Sequence, residues 1–207
     1  MKSARLLTII AATIGVAPVA GSQTSGGTPQ QTWSFGLLGG VTIPAGSYGD
    51  VTSTGWHAGA LIGWMPERLP IGIRGDVSFQ SPGSKDAPLG TAVTVSTQNS
   101  IVMGTLDAVW IYSGDRASTV RPYAIGGIGA YNMRFHDRCE GPCGGFDTGT
   151  STSTRFGLNA GGGLSIDVPG FGTFIEARWH NVFGVSSGPG ISKAARIVPV
   201  TIGIVFR

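Results

Sequence analysis

The sequence predicts an all-β fold, an eight-stranded antiparallel up-and-down transmembrane β-barrel, and three observations carry that prediction. Residues 31–207 divide into eight segments in which apolar and polar side chains alternate, the connections between them are alternately long and short, and charged residues make up only 12% of the 207-residue chain. A soluble domain carries about twice that share of charge. Alternation with period two sends successive side chains to opposite faces of a strand. A wall with lipid outside and a packed lumen inside needs that alternation, and only a closed barrel leaves no unpaired strand edge in hydrocarbon.

The first residues read as a leader. Lys2 and Arg5 precede an uncharged apolar run over 6–20, and small residues follow, so 1–22 is expected to be a secretory signal peptide cleaved after Ala20, Gly21 or Ser22. Residues 23–30 are rich in Ser, Thr, Gly and Pro and read as a short flexible periplasmic tail, leaving 31–207 for the barrel. Beyond the leader the chain holds no uncharged apolar run of the ~18 residues a helical span requires. The formal charge of +3 includes Lys2 and Arg5, so the mature chain is near neutral, and no basic patch points to a nucleic acid.

The first segment, 31–41, puts Trp33, Phe35, Leu37 and Val41 on one face, with Ser34, Gly36 and Gly40 on the other. In the second, 54–64, Trp56, Ala58, Ala60, Ile62 and Trp64 are expected to face lipid, with His57 inside. Trp56 and Trp64 stand about 27 Å apart on an extended strand, which suits two aromatic girdles around an apolar band roughly 25 Å tall. The third, 71–80, alternates Ile71, Ile73, Val77 and Phe79 with Arg74, Asp76, Ser78 and Gln80. The fourth, 99–112, has Val102, Leu106, Ala108, Trp110 and Tyr112 outside, Thr105 and Asp107 inside. The fifth, 121–135, sets Tyr123, Ile125, Tyr131 and Met133 against Ala124, Gly126, Asn132 and Arg134, with the aromatics assigned to the lipid side. The sixth, 154–167, has Phe156, Leu158, Ala160, Leu164 and Ile166 outside and Asn159 inside; the seventh, 173–183, sets Ile175, Ala177 and Trp179 against Phe174, Glu176, Arg178 and His180. The eighth, 196–206, offers Val198, Val200, Ile202, Ile204 and Phe206 to lipid and turns Pro199 inward. The girdles are thus assigned to Trp33, Trp56, Trp64, Trp110, Tyr112, Tyr123, Tyr131 and Trp179.

Connections 65–69, 113–119 and 168–172 are short, whereas 42–53, 81–98, 136–153 and 184–195 are long. Short turns belong to the periplasm and long loops to the exterior. Both chain ends are therefore expected in the periplasm.

The stretches RPYAIGGIG (121–129), FGLNAGGG (156–163), FIEARWH (174–180) and PVTIGIVF (199–206) resemble the small outer-membrane β-barrel family akin to the OmpA transmembrane domain and OmpX. The resemblance spans 33–207 and implies a Gram-negative-type outer-membrane location. It also implies delivery by the barrel-assembly machinery, with Phe206 next to the end as the aromatic signal. It implies fold rather than activity.

Three groups of residues invite chemistry. Arg74, Asp76, Asp107, Glu176 and Arg178 share the lumen side, where unpaired charge is prohibitively costly, so charge-assisted pairs are expected. A barrel of eight strands is just wide enough for side chains; the favoured reading is a static salt-bridge plug, and the alternative is a gate in a small pore. His57, Asn159 and His180 are expected as further polar lumen residues. Glu176 and His180 raise the comparison with eight-stranded lipid A deacylases, but those need a Ser two residues after the His, and Val182 stands there. Cys139 and Cys143, in Cys-Glu-Gly-Pro-Cys, read as a disulfide at the tip of the third long loop, the simplest fate of a close pair in an oxidising compartment. A metal at that tip, with His136 and Asp137, is the minor reading.

The functional expectation is a monomeric outer-membrane barrel without enzymatic activity, metal or cofactor, in contact with outer-membrane lipid. Its role is structural or adhesive, with an extracellular ligand met through the long loops. A gated transport pore is the alternative, and a lipid A-modifying enzyme comes third.

Overall fold

The computed structural model describes residues 33–66, 69–84, 86–88, 94–112, 119–140, 150–168, 170–186 and 192–206. The leader at 1–22, the tail at 23–30 and Cys143 lie outside the described residues. Among the described residues nine strands occur in chain order: β1 (Trp33–Ala45), β2 (Thr52–Trp64), β3 (Ile71–Ser84), β4 (Asp86–Pro88), β5 (Thr94–Ile111), β6 (Val120–Glu140), β7 (Thr150–Val168), β8 (Phe171–Ser186) and β9 (Ser192–Phe206); a helical turn, α1 (Ser47–Val51), joins β1 to β2. Every pairing is antiparallel between chain neighbours, β1 pairs with β9 from Phe35↔Phe206 to Ala45↔Arg196, and β3 pairs with β5. The sheet therefore closes. β4 continues the line of β3 along β5, from Asp86↔Ser96 to Pro88↔Thr94, so the wall is eight strands around.

The outward faces carry Phe35, Leu37, Ile73, Val77, Leu106, Leu158, Ile202 and Ile204, all exposed. A water-facing surface made of such side chains is untenable at this extent, and a bilayer is the medium that satisfies it. Trp33 pairs with Trp64 across β1 and β2. Trp56 packs on Phe79 at 5.7 Å between ring centroids, and the guanidinium of Arg196 lies 6.0 Å over the Trp179 ring. Trp110 and Tyr112 are likewise exposed.

The fifth segment departs from its expected orientation. Tyr131 is 0% exposed and Ile128 60%, so in β6 it is Tyr123, Ile125, Tyr131 and Met133 that point into the lumen. The two tyrosines leave the girdles. Partners across an antiparallel ladder share a face, and β6 is registered with Asp107 opposite Gly127 and Thr105 opposite Gly129. On its other side Tyr123 stands opposite Gly163, where a Cβ would meet the Tyr123 ring at 2.7 Å. Bulk on β6 fills the room that glycine leaves on β7.

The four connections expected as long loops are largely strand. β1 runs through Thr42, which is fully buried, to Ala45. β3 reaches Ser84 and β5 begins at Thr94; β6 reaches Glu140 and β7 begins at Thr150; β8 reaches Ser186 and β9 begins at Ser192. Hydrophobic alternation fades once a strand leaves the apolar band, yet ladder hydrogen bonds continue without it. Cys139 lies on β6 opposite Val95. Pro199 lines the lumen, and the β8–β9 ladder, continuous to Ala177↔Val200, resumes only at His180↔Ile197. The gap falls where proline has no N–H to donate.

Candidate functional site

The lumen is filled in layers. At the short-turn end Leu38, Leu61, Val109, Tyr123, Ile125 and Phe174 form an apolar layer, and at the opposite end Ile101, Met103, Tyr131, Met133, Val182 and Ile197 form a second. Tyr48 belongs to this second layer. α1 delivers it into the barrel mouth after a left-handed turn at Gly46, φ 60°.

Between the apolar layers lies the charged one. Alternation puts Arg74 and Asp76 on the inner face of β3, Asp107 on that of β5, and Glu176 and Arg178 on that of β8, and all five are buried. Arg74 donates from Nε to Asp76 Oδ1 at 2.7 Å and from Nη1 to Glu176 Oε2 at 3.0 Å. Arg178 is the hub: Nη1 donates to Asp107 Oδ2 at 2.8 Å, Nη2 donates to Asp76 and Nε to Glu176. Asp107 also accepts from Thr105 Oγ1 and Asn159 Nδ2, both at 2.7 Å, and Glu176 from the Tyr123 hydroxyl at 2.8 Å. Each carboxylate thus receives at least two donors, the condition under which buried charge is tolerable. Arg74 also stacks 4.8 Å from the Phe174 centroid, which ties the layer to the apolar packing beneath it.

A neutral polar layer separates the charges from the Tyr48 end. His57 bridges Thr42 Oγ1 (3.1 Å from Nδ1) and Thr201 Oγ1 (3.0 Å from Nε2), and Thr42 donates to Gln80 Oε1 at 3.3 Å. His180 Nδ1 lies 2.7 Å from the Tyr131 hydroxyl. A pocket of about 100 Å3 opens at the short-turn end beside Ser34, Met65, Tyr123 and Phe174, and stops at Arg74. Among the described residues no group of three or more His, Cys, Asp or Glu side chains is arranged to hold a metal ion.

The structure therefore joins Arg74, Asp76, Asp107, Glu176, Arg178 and Asn159 in one network and sets His57 and His180 in the layer beside it. Sequence reasoning missed Tyr123 and Tyr131, which it assigned to lipid, and Thr42, which it assigned to a loop. The signal that would have found the tyrosines is the complement between inward glycines on one strand and inward bulk on the next. At the short-turn mouth Arg121 pairs with Asp167, a contact that nothing in the alternation singled out.

Neither a protein-family model nor a curated sequence matches the chain. Solved structures do. Neisserial surface protein A superposes with a TM-score of 0.60 at 16% identity, over 85% of this chain and 97% of that one. A major outer membrane protein from Thermus thermophilus matches at 0.56, 14% identity, 85% and 99% coverage. This is the fold of the small outer-membrane β-barrels. The outer membrane protein OprG from Pseudomonas aeruginosa agrees, at 0.53 and 12% identity over 85% of this chain and 97% of that one. At such identity the likeness carries architecture, and the apolar exterior puts this outer-membrane barrel in its bilayer.

Proposed function

We propose that this outer-membrane barrel is a sealed structural and surface-interaction protein that works through the part of its wall standing beyond the apolar band. One observation carries the reading. On the outer face of β6 the side chains are apolar through Ala130, then turn to Asn132 and Arg134, and the strand continues to Glu140. Eight further residues correspond to roughly 27 Å of strand. β7 rises alongside from Thr150, paired with β6 from His136↔Thr150 onward. Its ladder with β8 begins only at Gly157↔Val182, and beyond this β8 is bulged at Gly184, φ 69°.

A Cys139–Cys143 disulfide would stiffen the tip of this wall. Monomeric insertion by the assembly machinery, with Phe206 as its signal after removal of a leader at 1–22, completes the reading. The transport alternative draws on the charged layer alone, and a pore would have to part both apolar layers as well. Lipid A chemistry finds less support: His180 points inward, its Nδ1 engaged by Tyr131, and the position for a nucleophile two residues on is the buried Val182.

The test replaces 135–153 by a short turn. The shortened barrel is expected to keep its heat-modifiable band in electrophoresis, while cells expressing it lose attachment to protein-coated surfaces. Equal attachment by both forms would discard the wall as the working surface.

A further inference from the structure

Between the charged layer and the histidine layer lies a small cavity, with about 10 Å3 of room for a water centre, bounded by His57, Asp76, Ser78, Arg178, His180 and Thr201. Two of its lining side chains carry a buried polar atom without a hydrogen-bond partner, Ser78 Oγ and His180 Nε2. The residues are 3% and 0% exposed and come from different strands, β3 and β8. Unpaired polar atoms this deep are costly, and a cavity accepts a water once it offers roughly 10–15 Å3 and two or more polar partners. We propose that the cavity is a binding site for one buried water that joins Ser78 Oγ to His180 Nε2.

The chemistry of the walls selects water over an ion. A cation there would face the Arg178 guanidinium, and an anion would face the Asp76 carboxylate. Water also suits either tautomer of His180. If the Tyr131 hydroxyl donates to Nδ1, Nε2 carries the proton and needs an acceptor; if Nδ1 carries the proton, Nε2 needs a donor. A hydroxyl-sized dipole with two donors and two acceptors meets both cases and the Ser78 hydroxyl together. The water then links the Tyr131–His180 pair of β6 and β8 to β3 and the charged layer.

The experiment is nuclear magnetic resonance of the refolded full barrel in micelles with labelled histidine. A water cross-peak of bound-water sign at the Hε1 proton of His180 is expected in the wild type, retained in Ser78→Thr and lost in Ser78→Val, which matches threonine in shape but has no hydroxyl to hold the water. Absence of the cross-peak from the wild type, or its persistence in Ser78→Val, overturns the proposal. Should Ser78→Val fail to refold, Ser78→Ala decides: removal of the hydroxyl is expected to weaken the cross-peak sharply, and an undiminished cross-peak overturns the site.

Discussion

Arg178 on β8 reaches across the lumen to Asp107 on β5, Nη1 to Oδ2 at 2.8 Å, and these two strands share no ladder. Backbone pairing ties each strand to its neighbours only. This contact, with Arg178 to Asp76 and Arg74 to Glu176, ties opposite walls of the cylinder together.

Removing the hub leaves Asp76 and Glu176 with Arg74 and leaves Asp107 with only its neutral donors Thr105 and Asn159. Arg178→Ala is expected to cost about 3–5 kcal/mol, read as a lower midpoint in urea unfolding of the detergent-refolded barrel. Arg178→Lys is expected to fall between, since one ammonium cannot replace a fork that touches three carboxylates. A midpoint unchanged in Arg178→Ala would show that the network does not hold the walls.

The inverted orientation of β6 can be read directly. In a Cys139→Ser/Cys143→Ser background, a fluorophore on Ile128→Cys is expected to be quenched by spin-labelled lipid, and Ile125→Cys is expected to resist labelling once folded. The reverse pattern would return Tyr123 and Tyr131 to the lipid face.

Tyr123 and Tyr131 each place a hydroxyl against a buried partner, Glu176 and His180. Tyr123→Phe deprives Glu176 of a donor and is expected to cost about 1–3 kcal/mol, while the ring volume is kept. Stability equal to wild type would mean that Arg74 and Arg178 satisfy Glu176 without it.

Overpacking the opposite side of the same contact is expected to act in the same direction. Gly163→Val sets a side chain against the Ile175 carbonyl oxygen and against the Tyr123 ring, which a Cβ meets at 2.7 Å, at a cost of at least about 1–3 kcal/mol. Tyr123→Ala in the same chain is expected to relieve only the part owed to the ring, because the carbonyl stays in place.

Apolar layers stand on either side of the charged one, so planar bilayers holding the wild type are expected to stay silent, and Glu176→Gln and Tyr48→Ala singly likewise. Discrete conductance steps from the wild type would convert the charged layer from filler into a gate.

By itself the sequence determined the eight-stranded wall, the orientation of seven segments and the inward set Arg74, Asp76, Asp107, Glu176 and Arg178, because alternation is a local property: the side of a strand on which a residue stands follows from counting by two. β6 escapes that count because both of its faces carry apolar residues, and bulk alone does not mark the lipid side. Only the tertiary structure decided it, through the register that sets Asp107 against Gly127 and Tyr123 against Gly163. It alone decided which guanidinium meets which carboxylate, that Tyr48 packs into the second apolar layer, and that β6 runs on to Glu140 with β7 beside it from Thr150. These outcomes depend on closure, which brings residues 102 apart in the chain, such as Arg74 and Glu176, within bonding distance, and no local pattern encodes that approach.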